Sequence, residues 1–294
     1  MLAINMPVYV EIPLTILVLA AVAFLFGALL AVAAKKFAVK KDPRIEQICE
    51  HLAGANCGGC GYSGCAAYAT AIVEGGAPTD LCPVTGEEGV NQICAIMGVE
   101  AKQPVRMRAQ VKCAGTWESA NFKYLYKGLA DCHSVARLGN GPKECRYGCI
   151  GLGSCVHACP FDAIHLYGGV ATVAYDKCRA CGMCVSACPQ NLIELVPFNS
   201  RYWVSCGSKD KGAVVRSLCK DGCIGCGLCA KVCPTGAITM VDNIAHIDYS
   251  RCSSCGACAK KCPRKIIFDG NPLDELIEKN GEDILSSEEK EREA

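Results

Sequence analysis

The sequence predicts an α+β chain with three kinds of part: one N-terminal transmembrane helix, a small helical domain organised by four cysteines, and two tandem modules of one design with eight cysteines each. Three observations predict it. Residues Ile12 to Ala34 form an uncharged apolar run, 26 of the 294 residues are cysteine, and a shift of 74 residues lays one set of eight cysteines on another. The expected boundaries are an anchor with its basic flank at 1–40, the four-cysteine domain at 41–95, a connector at 96–140, the modules at 141–200 and 201–270, and an acidic tail at 271–294. Aromatic residues are only 6% of the chain, so something other than large side chains must hold several small domains together.

The 23 residues from Ile12 to Ala34 span about 34 Å as a helix, enough for a hydrocarbon core of roughly 30 Å. A cleaved signal peptide would need bases before the run, and residues 1–11 hold only an acid, Glu11. The bases follow it instead: Lys35, Lys36, Lys40 and Lys41. The positive-inside rule then leaves the N-terminus outside, and the rest of the chain on the cytoplasmic side of a cell inner membrane, as a single-pass protein. That side is reducing, so the cysteines read as metal ligands rather than disulfides. A formal net charge of +1 argues against general nucleic-acid binding.

The helical domain carries Cys57, Cys60, Cys65 and Cys82 in a 2, 4, 16 spacing, with four glycines between Cys57 and Cys65. Glycines let the backbone turn tightly and point amides at the sulfurs of a bulky cluster. A four-cysteine zinc site is the alternative, though zinc ligands usually come as two short Cys-x2-Cys hooks. Ile45, Ile48 and Leu52 at helical spacing before the loop, and Ala66–Val73 after it, predict helix, turn and helix over Glu46–Gly76.

The 74-residue shift carries Cys145, Cys149, Cys155, Cys159, Cys178, Cys181, Cys184 and Cys188 onto Cys219, Cys223, Cys229, Cys233, Cys252, Cys255, Cys258 and Cys262, and also Cys132 onto Cys206. The later copy contains two full Cys-x2-Cys-x2-Cys-x3-Cys-Pro runs. They resemble the run of bacterial two-cluster ferredoxins, in which the fourth cysteine of each run ligates the other cluster. That resemblance implies one cluster on Cys223, Cys226, Cys229 and Cys262 and another on Cys252, Cys255, Cys258 and Cys233.

In the earlier copy Leu152 stands where the later one has Cys226. The nearest thiol is Cys145, so the expected sets are Cys145, Cys149, Cys155 and Cys188, and Cys178, Cys181, Cys184 and Cys159. A degenerate copy, with three ligands or no cluster, is the alternative there. Twenty ligands make five [4Fe-4S] clusters. Cys49, Cys94, Cys113, Cys132, Cys206 and Cys219 are left, most simply as small buried hydrophobes. A sixth site drawn from Cys113, Cys132, Cys206 and Cys219 is not assigned.

Short strands are expected at Ala163–Leu166, Ala237–Met240 and Ile266–Phe268. In the connector, Lys102, Arg106, Arg108, Lys112 and Lys123 read as a solvated face. From Asp274 on, nine acids against three bases read as a frayed helix or a disordered tail. Between Cys219 and Lys265 seven bases face three acids, a rim that could steer an acidic soluble carrier. No dinucleotide or phosphate-binding glycine motif and no histidine triad is legible, so no catalytic residue is expected beyond electron transfer.

The membrane helix, Cys57-Gly-Gly-Cys60-Gly-Tyr-Ser-Gly-Cys65 with Cys82-Pro83, the Cys145-x3-Cys149-x5-Cys155-x3-Cys159-Pro-Phe-Asp-Ala-Ile164 stretch and the second module together resemble the B-subunit family of Rnf complexes. The resemblance covers nearly the whole chain. It implies the electron-transfer subunit of an ion-translocating ferredoxin:NAD oxidoreductase, a translocase. Its partners would be soluble ferredoxin, a flavin- and NAD-binding subunit, and membrane subunits. A ferredoxin-like subunit of another membrane redox enzyme and a zinc-bound scaffold are the alternatives.

Overall fold

The computed structural model describes residues 8–36, 42–101 and 105–270, and divides into two compact units, Met1–Ile45 and Glu46–Ala294. The first unit holds one long helix, Val8–Lys36. Its described side chains from Ile16 to Val32 are apolar and exposed, Leu19 at 69% and Phe24 at 78%. Among the described residues no helix is long and apolar enough to cross a membrane; the side chains at 12–15 and 33–34, which complete the uncharged run, lie outside them. So do Lys40, Lys41, Lys102 and the tail from 271 on.

The four-cysteine domain is helical, as its spacing predicts: Pro43–His51, Cys65–Gly75 and Glu87–Met97, the last two ended by left-handed Gly76 and Gly98. Ile48, Tyr68, Ile72, Val90 and Ile93 are each 1% exposed or less.

Beyond it the chain has almost no long elements. Four separate two-stranded antiparallel ladders carry the two modules. Ile164–Tyr167 pairs with Val170–Val173, and Ile238–Val241 with Ile244–Ile247. Ile193–Pro197 pairs with Met107–Val111, and Ile267–Asp269 with Tyr202–Val204. The three expected strands are present, each within a residue or so. The connector contributes a strand, Met107–Val111, that belongs to the first module. Four short helices, Ser154–His157, Met183–Ser186, Leu228–Val232 and Ala257–Lys261, each start on a left-handed glycine with φ between 69° and 79°. That turn aims the third cysteine of every run inward, and Cys155, Cys184, Cys229 and Cys258 are 6–8% exposed.

Two expectations about the connector are corrected. Arg108 is not on a solvated face: it is 1% exposed, because its guanidinium lies 3.6 Å over the Tyr175 ring and 5.3 Å from that of Trp203. It donates to Gln110 Oε1 and to the carbonyls of Phe198 and Ser200, so its charge is solvated by protein at the seam of the two modules. The sequence shift that carries Cys132 onto Cys206 is also not the structural one. Val111 lies opposite Ile193 and Val204 opposite Ile267, and Ile193 and Ile267 are images under the 74-residue shift. Lys112 N–H donates to Leu192 O as Ser205 N–H does to Ile266 O. The counterpart of Cys206 is therefore Cys113, and Cys132 sits in extra chain that only the first module has.

Candidate metal centres

Each thiol set is positioned by local backbone chemistry. In the helical domain, Asn56 at φ 47° turns its Oδ1 to accept the Cys65 N–H at 2.8 Å, seating Cys65 at the start of its helix. From that helix the Tyr68 hydroxyl donates to Pro78 O at 2.7 Å and accepts the Leu81 N–H at 3.1 Å, which fixes the chain entering Cys82. Burial, with the sulfurs of Cys82 and Cys60 close by, pushes the Tyr68 phenol up to about 12, so it stays a neutral donor.

The loop of this site touches the first module. A Cβ at Gly59 would stand 2.7 Å from Cys181 O, and the Cys57 thiol is near enough to act on the Cys181 thiol electrostatically. Gly59→Ala should therefore push the loop off Cys181, at a cost of about 1–3 kcal/mol. A lower midpoint in denaturant, together with slower electron exchange between the two sites, is the expected result; unchanged values of both would show that the contact is dispensable.

In the modules, sixteen cysteines line four cavities in sets of four. Cys223, Cys226, Cys229 and Cys262 surround about 350 Å³, and Cys233, Cys252, Cys255 and Cys258 about 320 Å³. Cys159, Cys178, Cys181 and Cys184 surround about 300 Å³. In all three, one cysteine comes from the other run, which is the crossed grouping. The fourth cavity, about 390 Å³, is lined by Cys149, Cys155, Cys188 and Cys132, not by Cys145. Cys145 faces a different cavity, with Cys113, Cys206 and Cys219.

The placement of Cys132 has a clear cause. Asp131 caps the helix Cys132–Ala136, accepting from the N–H groups of His133 and Ser134. Those hydrogen bonds, the Ser134 hydroxyl foremost, hold its carboxyl well below the usual carboxylate range. Ser154, between Cys149 and Cys155, donates to Asp131 and accepts the Cys132 N–H at 2.8 Å, tying the capped turn to the cysteine loop. Leu152 packs on the same small core of Cys132, Val135 and Ile150. The local signal was the Asp131-Cys-His-Ser134 cap, an ordinary helix start until the direction of its helix is known.

Four thiols to a cavity is the ligand count of a four-iron cube. Among the described residues no three His, Cys, Asp or Glu side chains converge closely enough for a single ion, whereas zinc needs its thiolates about 2.3 Å from one centre. A cube holds each thiolate at a separate corner, around a space such as these cavities provide. Backbone N–H groups already point at sulfur: Ala109 to Cys178 at 3.3 Å, and Ala163 to Cys159 and Leu192 to Cys188, both at 3.4 Å. Burial pushes the thiols of Cys155 and Cys184 up to about 12 and those of Cys149 and Cys229 to about 11. Cations in the cavity would be needed to hold these as thiolates. At Cys233 burial acts the same way but is outweighed by the Thr235 hydroxyl and backbone N–H groups, which lower it.

Comparisons with known proteins agree with this geometry. Residues 52–84 match the FeS family (Fe-S cluster), and residues 147–193 and 222–266 match two families of 4Fe-4S dicluster domain. Over 229 residues, 78% of this chain and 69% of the relative, the sequence is 44% identical to the B subunit of the Na(+)-translocating ferredoxin:NAD(+) oxidoreductase complex of Acetobacterium woodii. It is 42% identical over 239 residues to the B subunit of the ion-translocating oxidoreductase complex of Methanosarcina acetivorans, covering 81% of this chain and 90% of that one. It is 40% identical over 240 residues to the B subunit of the proton-translocating ferredoxin:NAD(+) oxidoreductase complex of Clostridium ljungdahlii, covering 81% and 84%. With the cysteine frame in place and likeness of this extent, the chain belongs to the B-subunit family of ion-translocating oxidoreductase (Rnf) complexes.

Proposed function

We propose that this chain is the iron–sulfur subunit that relays electrons between soluble ferredoxin and the other subunits of an ion-translocating ferredoxin:NAD oxidoreductase. The observation that carries it is the sorting of sixteen cysteines into four cavities of four thiols each. Bound [4Fe-4S] clusters supply one-electron redox chemistry there. The ligand sets are those four, with Cys132 in place of Cys145, and Cys57, Cys60, Cys65 and Cys82 as a fifth. The chain's residues do the rest: thiols hold, backbone N–H groups and burial set potentials, and the contacts between sets make a path. Cys57 adjoins Cys181, and Cys155 feels Cys184 of the neighbouring set. Anaerobically purified protein should be brown and hold at least about twenty iron atoms at four per site. A colourless protein with zinc would replace this reading by that of a scaffold.

Electrons exchange with ferredoxin at the second module. Two of its cysteines, Cys226 and Cys255, are exposed, and Lys260 and Lys261 lie exposed at the end of the helix Ala257–Lys261. Of the other bases there, Arg264 is engaged inward on Cys219 O and Gly222 O, and Arg251 on Thr235 O. Lys220, Lys231 and Lys265 are exposed too, and the adjacent pair Lys260 and Lys261, on the helix that carries Cys258, is taken as the centre of the steering rim. Lys260→Glu with Lys261→Glu should slow reduction by ferredoxin on the order of tenfold at low salt, the difference fading as salt rises; equal rates at low salt would remove this docking face.

The segment Ile12–Ala34 is read as a single membrane span, with the N-terminus outside and the iron–sulfur domains on the cytoplasmic side. Its support is the uncharged run followed by Lys35 and Lys36. The set on Cys57, Cys60, Cys65 and Cys82, next in sequence to that span, hands electrons toward the membrane subunits.

A further inference from the structure

We propose that Cys113, Cys145, Cys206 and Cys219 hold a sixth [4Fe-4S] cluster, placed between the two modules. The proposal rests on reading the other sets as iron–sulfur sites. These four thiols line one cavity, as each of the other four sets in the modules lines its own. They come from four separate segments. Cys113 and Cys206 each stand two residues beyond the end of equivalent strands, Met107–Val111 and Tyr202–Val204. Cys145 and Cys219 are images of each other under the 74-residue shift. The wall is therefore two equivalent pairs, one member of each pair from either module, meeting across their seam.

The space is kept open by a glycine. A Cβ at Gly115 would stand 3.3 Å from Cys219 Sγ and 3.8 Å from Cys113 Sγ, so both sulfurs face the spot that any larger residue would fill. Polar groups are turned toward the sulfurs. The Tyr147 N–H and the Ser208 side chain act on Cys145, the N–H groups of Cys223 and Ser208 on Cys206, and the Asp221 N–H on Cys219, each lowering its thiol. Burial outweighs these groups and raises all three thiols, as it does at the other sets, so cations in the cavity would be needed to hold them as thiolates.

A second observation points to negative charge beside this wall. Lys143 lines it and is 2% exposed. Its ammonium donates to Gly169 O at 2.9 Å and sits 6.0 Å from the Phe122 ring, both uncharged partners. Among the described residues no carboxylate pairs with it, and a buried charge without a counter-charge is costly. Asp221, also on the wall, adds negative charge of its own. Four thiolates on a cube carrying two positive charges leave a net negative group, and Lys143, whose charge acts on Cys149 of the neighbouring set, stands where it would offset negative charge on either side of this wall.

The site also joins the two modules. Cys149 N–H donates to Cys113 Sγ at 3.4 Å, and the Cys223 N–H lies near enough to the Cys206 thiol to lower it. Cys149 belongs to one neighbouring set and Cys223 to the other. Each neighbour is thus one residue away, and a single electron can pass in either direction with no bond formed or broken.

The test is iron and sulfide quantitation on the full chain, reconstituted anaerobically, beside Cys113→Ala with Cys219→Ala, and separately Gly115→Val. The wild type should hold about twenty-four irons and both variants about twenty, at four per cluster, with the signals of the remaining clusters and the far-ultraviolet circular dichroism retained. About twenty irons in the wild type and in both variants, or one zinc per chain lost with Cys113 and Cys219, would overturn the sixth cluster while leaving the other five. A chain that takes up no iron at all would instead overturn the reading on which it rests.

Discussion

Replacing Cys132 by alanine should remove about four iron atoms and one cluster signal, and adding Leu152→Cys in the same chain should restore both. The first module lacks the middle cysteine of its first run, and its cavity is completed from outside the run by a thiol on a capped turn. In the second module the corresponding position is Cys226, which lines the matching cavity. Leu152 already packs on the small core that contains Cys132, so a thiol there needs little rearrangement to reach the space. Cys145→Ala is the control with the opposite sense: it should leave the cluster on Cys149, Cys155 and Cys188 intact, because Cys145 does not face it. Loss of that cluster's signal in Cys145→Ala, with Cys132→Ala silent, would reverse the assignment. Electron paramagnetic resonance on the three variants decides it.

Stripping the iron should unfold both modules. Each rests on two isolated two-stranded ladders, a unit that is marginal alone in water, and on helices of four or five residues. Their apolar cores are built from the thiols themselves: Cys206, Cys223, Cys229 and Cys258 with Ile238, Ile266 and Ile267 in one, and Cys155, Cys178 and Cys184 with Ile164, Val173 and Ile193 in the other. If a cluster contributes on the order of 10 kcal/mol, as structural metal does in small domains, two of them exceed the roughly 5–15 kcal/mol that a domain has in total. The expected result is loss of a cooperative melting transition and rapid proteolysis between residues 141 and 270 after chelation under reducing conditions. The helical domain, with Ile48, Tyr68, Ile72, Val90 and Ile93 buried, should keep more of its structure. A chelated chain that melts as cooperatively as the intact one would show that side-chain packing suffices.

Much of this was legible in the residues because cluster ligands recur at short, fixed spacings. Cys223, Cys226 and Cys229 must lie together wherever their loop goes, and so must Cys57, Cys60 and Cys65. Long-range partners were legible only where a known run supplied the rule, as for Cys262 and Cys233. Arg108 shows the reverse case. An arginine in a polar connector looks solvated, and only the approach of Tyr175 and Trp203 from distant strands explains its burial.

Residue order sufficed for the metal chemistry of the thiols, the duplication, the crossed sets of the second module and the likeness to the B-subunit family of Rnf complexes. Each of these follows from spacing along one stretch of chain or from comparison of two. Folding in three dimensions was needed to settle which thiols close the first module's cavity, and that Cys113, not Cys132, is the counterpart of Cys206. It also brought Cys113, Cys145, Cys206 and Cys219 to one wall. The physical reason is that these cysteines stand singly on separate strands and turns, so their meeting depends on how two ladders and an extra capped helix pack together, a property that no local spacing encodes.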